Sequence, residues 1–154
     1  MEVLPEQHYA QRILHAMRSM IRAVDVYSRK LNAEWGLTAQ QFFCLHALAE
    51  AEDAFEERTL TQIARSMNLG GSSVIGIIDR LEAKQLLRRV RSSMDRRKVY
   101  LELTQAGREI VQKAPPLLPV QFSVALAALE QEEQKTITES FERIVQLMSA
   151  DPDW

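Results

Sequence analysis

Between Thr59 and Leu103 the spacing of apolar residues changes character twice, and this constrains the fold more than any other feature of the chain. Leu60, Ile63, Ala64 and Met67 recur at the three- and four-residue steps of a helical face, and Val74, Ile77, Ile78 and Leu81 do so again. Only Asn68 to Gly71 separate the two. Thr59 and Gln62 have the spacing of a capping box, and Ser72 and Ser73 are candidate caps for the second helix. Leu86 to Arg91 and Lys98 to Leu103 then alternate as strands do, with Val90, Val99, Leu101 and Leu103 as apolar positions and Ser92 to Arg97 as connection. Two short helices joined at a glycine-containing turn, followed at once by a hairpin, predict a helix-turn-helix with a β-wing.

The flanking segments read as helices. From Gln7 to Ala33, Tyr9, Ile13, Met17, Met20, Ile21, Val24, Tyr27 and Leu31 form one apolar stripe, which predicts a long amphipathic helix with a partner subunit over part of it. Gly36 ends the pattern. Thr38 and Gln41 open a second helix, apolar nearly all round at Phe42, Phe43, Cys44, Leu45, Ala47, Leu48 and Ala49, and the acidic run from Glu50 to Glu57 reads as a solvated loop. Thr104 caps a helix carrying Ile110 and Val111, which Pro115, Pro116 and Pro119 should break, because proline supplies no backbone donor. Phe122, Leu126 and Leu129 resume an apolar pattern, and Ile137, Phe141, Ile144, Val145 and Met148 form a last stripe. The expected fold is mainly α with a β-hairpin wing. A winged helix-turn-helix core at 38–103 is flanked by dimerisation helices at 7–34 and 104–149, in a single domain over 1–154.

Composition narrows the functional classes. No apolar run approaches the roughly 20 residues that span a bilayer, and Met1 to Glu6 lack the basic and apolar start of a signal peptide, so no membrane partner and a cytoplasmic location are expected. The one cysteine, Cys44, leaves no disulfide framework and no zinc-ligand cluster, so neither metal nor cofactor is expected. Metalloprotease, nucleophile-elbow and P-loop spacings are absent, and His8, His15 and His46 form no arrangement with Ser or Asp that suggests catalysis, so no catalytic residue is expected. The formal net charge is −2, yet Arg80, Lys84, Arg88, Arg89, Arg91, Arg96, Arg97 and Lys98 face only Glu82 and Asp95 within their stretch, a local charge of +6. A basic patch on an acidic body is either a solvated face or the electrostatic footprint of a nucleic acid.

A recognition helix presents its N-terminal turns to the major groove. In the second helix of the motif the positions off the core stripe are Ser72, Ser73, Ile75, Gly76, Asp79 and Arg80. Serine hydroxyls can bond bases or phosphates, Ile75 can touch a thymine methyl, Gly76 permits close approach, and Arg80 suits phosphate. In the wing, Arg88, Arg91, Asp95, Arg96, Arg97 and Lys98 are the candidates. An arginine can enter a narrow minor groove, and Asp95 is spaced to hold the Arg97 guanidinium.

Leu60, Ile63, Ala64, Ser72, Ser73, Val74, Asp79, Arg80, Leu81, Glu82, Leu86, Asp95, Arg96, Arg97, Leu101, Leu103, Thr104 and Gly107 together resemble the MarR family of bacterial regulators. The resemblance implies an obligate dimer built from helices at both chain ends, most often a repressor released from DNA by a small molecule or oxidant. The chain departs from the family's pattern in three places. Ile75 and Gly76 stand where polar or basic residues are usual, Gln85 replaces a glycine, which implies a different helix end, and the prolines interrupt what is normally one long helix.

The expected function is a homodimeric, sequence-specific transcriptional regulator that binds a pseudo-palindromic operator in double-stranded DNA. A small aromatic acid is the expected effector, held by Met20, Val24, Tyr27 and His46. His46 reads more readily as a satisfied core histidine than as a ligand, and Cys44 reads as an oxidation switch or as a buried, inert thiol. A winged-helix module for protein-protein assembly, its basic wing against an acidic partner, is the reading from another class.

Overall fold

The computed structural model describes residues 5–149, so the ends of the expected 1–154 domain, Met1 to Leu4 with their signal-peptide reading among them, lie outside the described residues. Seven helices and one two-stranded antiparallel sheet are present among those described. The chain divides between Pro115 and Pro116 into two compact units.

In the first unit α1 spans Pro5–Trp35, two residues longer at each end than its apolar period suggested, and stops at Gly36, whose φ of +67° suits a residue without Cβ. Only its C-terminal part enters the core, through Leu31, with Tyr27 half-buried beside it. Tyr9, Ile13, Leu14, Met20 and Ile21 are exposed. Helix α2, Ala39–Asp53, opens with both halves of the capping box: Gln41 N donates to Thr38 Oγ1 and Thr38 N donates to Gln41 Oε1, each at 3.2 Å. It is central, as an all-round apolar helix should be, and buries Phe42, Cys44, Leu45 and Leu48. The acidic run from Glu50 to Glu57 is not wholly a loop, because α2 continues to Asp53 and turns Ala51 into the core.

Helix α3, Leu60–Ser66, is capped by Thr59, though only the Gln62 N to Thr59 Oγ1 half of the expected box forms. It ends with Asn68 in the left-handed region at φ +52° and Leu69 N donating to Ala64 O at 3.0 Å, which satisfies a last-turn carbonyl. Helix α4, Gly71–Ala83, packs Val74, Ile77, Ile78 and Leu81 onto α2 and α3. Strands β1, Leu87–Arg91, and β2, Val99–Leu103, pair in the register Leu87 to Leu103 and Arg91 to Val99. Arg58 extends the wing base by accepting from Leu101 N at 2.7 Å. Thr104 Oγ1 accepts from Gly107 N at 3.1 Å to start α5, Gln105–Lys113, and itself donates to Gln85 O at 2.7 Å. Helix α5 ends ahead of the prolines, as their missing donors require.

The second unit holds α6, Val120–Ala127, and α7, Gln131–Ser149. Val120, Phe122 and Val124 of α6 and Ile137, Phe141, Val145 and Met148 of α7 are exposed. An amphipathic helix gains most of its stability by covering its apolar stripe, and this unit leaves its stripes open.

Candidate nucleic-acid interface

Ser72 and Ser73 do not cap α4. Gly70 occupies the capping position with no side-chain bond, because the helix begins at Gly71, and the two serines lie exposed in the first turn, neither hydroxyl hydrogen-bonded among the described residues. Ile75, 44% exposed, stands one turn further along the same outward region. A Cβ at Gly76 would meet nothing within 4 Å, so no neighbour in this chain demands a glycine there. Arg80 is exposed and enters no ion pair among the described residues.

Asp79 belongs elsewhere. Arg89 of β1 donates through Nη2 to Asp79 Oδ1 at 2.6 Å and through Nη1 to Glu82 Oε2, so one wing arginine straps two carboxylates of α4. The hydrogen bond that Arg89 donates to Asp79 is the first cause of its raised pKa, with Glu82 adding to it. Gln85 adopts the left-handed conformation that a glycine would take, at φ +59°, and Leu86 N donates to Leu81 O at 3.0 Å. The helix end expected to differ without glycine therefore closes in the usual way, with the strain placed on Gln85.

Ion pairs sort the basic residues into two groups. Arg88 donates bidentately to Glu102 Oε2, Lys98 Nζ reaches Glu57 Oε1 at 2.8 Å, Arg89 is strapped as described, and Lys84 Nζ donates to Gly36 O. Glu57 also raises the Lys98 pKa. Arg80, Arg91, Arg96 and Arg97 make no ion pair among the described residues, nor does Lys84, which meets only a neutral carbonyl, and these are the charges left to attract an anion. The wing loop itself is stapled. Ser92 Oγ accepts from Met94 N at 3.2 Å and Asp95 N at 3.1 Å, and Asp95 Oδ1 accepts from Arg97 N at 3.0 Å. Asp95 thus fixes the Arg97 backbone, and not its guanidinium as the spacing suggested.

Two features escaped sequence reasoning. A cleft of about 480 Å³ lies between α3 and the wing, lined by Thr61, Gln62 and Arg65 on one side and Arg97, Lys98 and Val99 on the other. The first helix of the motif therefore faces the wing arginines across open space. Behind the wing, Glu52 Oε1 accepts from Arg58 Nη1 at 3.0 Å and from Arg108 Nη2, while Arg108 Nη1 donates to Leu103 O at 2.7 Å. Both clusters join residues far apart in sequence, where spacing carries no signal.

The expected effector residues separate. Val24 and His46 line one groove between α1, α2 and α3, of about 480 Å³, with Phe43, Glu50 and Met67. Tyr27 turns away: its hydroxyl donates to Pro115 O at 2.8 Å, its ring meets Phe42 edge-on, and burial raises its pKa. Met20 is exposed outside the groove. His46 is not a core histidine, since its side chain is 47% exposed and Nδ1 lies 3.4 Å from Glu50 Oε1. Cys44 is fully buried, and desolvation pushes its thiol up to about 12. Among the described residues no cluster of His, Cys, Asp and Glu is placed to hold a metal, and no helix is long and apolar enough to cross a membrane.

A helix-turn-helix, a stapled basic hairpin and flanking amphipathic helices define a winged helix-turn-helix transcriptional regulator. The model of the SarA/Rot transcriptional regulators matches residues 26–114, more than half of the chain, and the chain belongs to that family. The HTH-type transcriptional regulator MhqR of Bacillus subtilis is 27% identical over 123 residues, which cover 80% of this chain and 82% of MhqR. Among solved structures, the transcriptional regulator BldR from Sulfolobus solfataricus superposes with a TM-score of 0.69 at 25% identity, covering 94% of this chain and 99% of BldR. BpsR of Bordetella bronchiseptica, whose DNA binding is regulated by 6-hydroxynicotinic acid, gives 0.64 at 26% identity over 87% of this chain and 98% of its own. The winged-helix fold and the MarR-type resemblance are thereby borne out, and these relatives are regulators, not enzymes.

Proposed function

We propose that the protein acts as a homodimeric repressor whose two α4 helices enter successive major grooves of a pseudo-palindromic duplex, about one helical turn apart. The observation that carries this reading is the outward region of α4, with Ser72, Ser73 and Ile75 exposed, beside four arginines without an ion pair. Serine hydroxyls and first-turn amides supply hydrogen bonds, Ile75 supplies an apolar contact, and Gly76 keeps the mid-helix thin against the groove floor. Arg97 enters the minor groove, with Arg80, Arg91 and Arg96 on phosphates. Gln62 and Arg65 meet the backbone from α3. The open stripes of α1, α6 and α7 supply the dimer interface, since exposed apolar surface of this extent is covered in a stable assembly.

Release by a small aromatic acid is part of the same proposal. The groove holding Val24, Phe43, His46 and Met67 has an apolar wall for a ring, and the half-exposed His46 imidazole offers its carboxylate a hydrogen-bond partner. BpsR responds to a ligand of this chemistry. Oxidation at Cys44 is the weaker alternative, because a buried thiol far from ionising is a poor nucleophile.

Selection of bound duplexes from a random pool, repeated with aromatic acids and with peroxide, tests all three parts. A palindrome is expected, released by an acid and not by peroxide. Arg65, Arg80, Arg91 and Arg96 on phosphates place a dimer within six to ten phosphate contacts, so affinity should fall by about three to five decades between 50 and 200 mM salt. A salt-insensitive complex, or no retained duplex, overturns the proposal in favour of a protein-assembly module.

A further inference from the structure

One of the most exposed side chains of the wing is apolar. Met94 is 97% exposed and sits at the hairpin tip between Arg91 and the Arg96–Arg97 pair. Its position is held, since both Met94 N and Asp95 N donate to Ser92 Oγ, Ser92 N donates to Lys98 O at 3.0 Å, and Lys98 N donates to Asp95 O at 2.9 Å. A single exposed apolar residue is ordinary on a protein surface. One presented on a stapled loop, among arginines that make no ion pair, is presented to whatever those arginines bind.

We infer that Met94 is a specificity-determining contact, an apolar side chain pressed into the minor groove beside Arg97. This rests on the duplex-binding reading above and extends it. The thioether is unbranched and polarizable, so it fits a narrow groove walled by sugar C–H groups. Over A·T pairs the groove floor offers only acceptors and leaves the space open. Over G·C pairs the guanine N2 amino group projects into it, displaces the side chain and loses its own partner against sulfur. Met94 therefore discriminates by exclusion, where Arg97 discriminates by charge.

The two kinds of contact differ in their salt dependence. A phosphate contact releases counterions and sets the slope of affinity against salt, whereas an apolar contact changes affinity without changing that slope. The test is fluorescence anisotropy on a duplex selected from the random pool, with A·T-rich and G·C-rich flanks, between about 50 and 200 mM salt. Met94→Ala is expected to bind the A·T-flanked duplex about tenfold more weakly at every salt concentration, with unchanged slope and reduced flank preference. Met94→Leu should stay within about threefold of the parent. Because the side chain is 97% exposed, the melting temperatures of both variants should match the parent's. Parental affinity for Met94→Ala, or a loss that appears only as a changed slope, overturns the inference while leaving duplex binding intact. Failure of the parent itself to bind a duplex overturns the functional reading and this inference with it.

Discussion

Arg89 on the wing holds Asp79 on α4, Nη2 to Oδ1 at 2.6 Å, and reaches Glu82 with its other nitrogen. The strap fixes the hairpin against α4 and masks two carboxylates close to where phosphate would pass. Arg89→Ala removes one positive charge and unmasks two negative ones. Duplex affinity should drop about tenfold or more, although the pairs are too exposed to contribute more than about 1 kcal/mol to stability. Adding Asp79→Asn to that variant should recover part of the affinity, which an anisotropy titration reads directly. A double variant no better than the single would show that the strap does not act through charge.

The sorting of the wing arginines gives a second expectation. Arg97→Ala should reduce the salt slope by about one and weaken binding, whereas Arg88→Ala, whose guanidinium is engaged by Glu102, should change the slope less. Equal slopes for the two variants would mean that the ion pairs do not partition the patch.

Gln85 carries backbone strain that a glycine would not. Gln85→Gly keeps the backbone carbonyl at position 85 that accepts from Thr104, and it should stabilise the fold by about 0.5–1 kcal/mol, a rise of about 1–4 °C in Tm. Calorimetry is sufficient to read this.

Gly107 is the opposite case. A methyl group there would overlap the Leu86 carbonyl oxygen and press on Leu103 Cδ2 at 3.3 Å, and backbone cannot move aside as a flexible side chain can. Gly107→Ala should cost about 2–3 kcal/mol in urea denaturation.

Cys44 predicts the alkaline behaviour. Its thiol is raised from 9.0 to about 12 in the folded chain, so above about pH 9 the unfolded state ionises while the native state keeps its proton. The stabilisation is complete below that pH and declines at up to about 1.4 kcal/mol per unit as pH rises towards 12. Tyr27 shifts in the same direction. Native protein should react slowly with iodoacetamide at neutral pH, and urea should accelerate the reaction sharply.

The parts legible in the sequence were those written by local rules. Thr38, Thr59 and Thr104 each announce a helix because a cap and the backbone donor it accepts from lie within one turn. Val74, Ile77, Ile78 and Leu81 announce their buried face by period. Local rules failed where two choices were equally good. Ser72 was a plausible cap, but Gly70 and Gly71 let the helix start a residue earlier. His46 belongs to a helix apolar almost all round, so its period could not say which side faced water. The Asp79–Arg89, Glu57–Lys98 and Glu52–Arg108 pairs were invisible because the tertiary fold alone brings them together.

The concentration of arginines without ion pairs in the wing and at the end of α4, on a chain whose total charge is −2, has a kinetic consequence. An approaching duplex is drawn towards that concentration of positive charge and repelled by the acids in excess elsewhere in the chain. The molecule is thus turned before it arrives, and collisions in other orientations separate quickly. Added salt should therefore slow arrival at the operator as well as weaken the complex, and a reversal of charge on the acidic body, far from any contact, should lengthen the search.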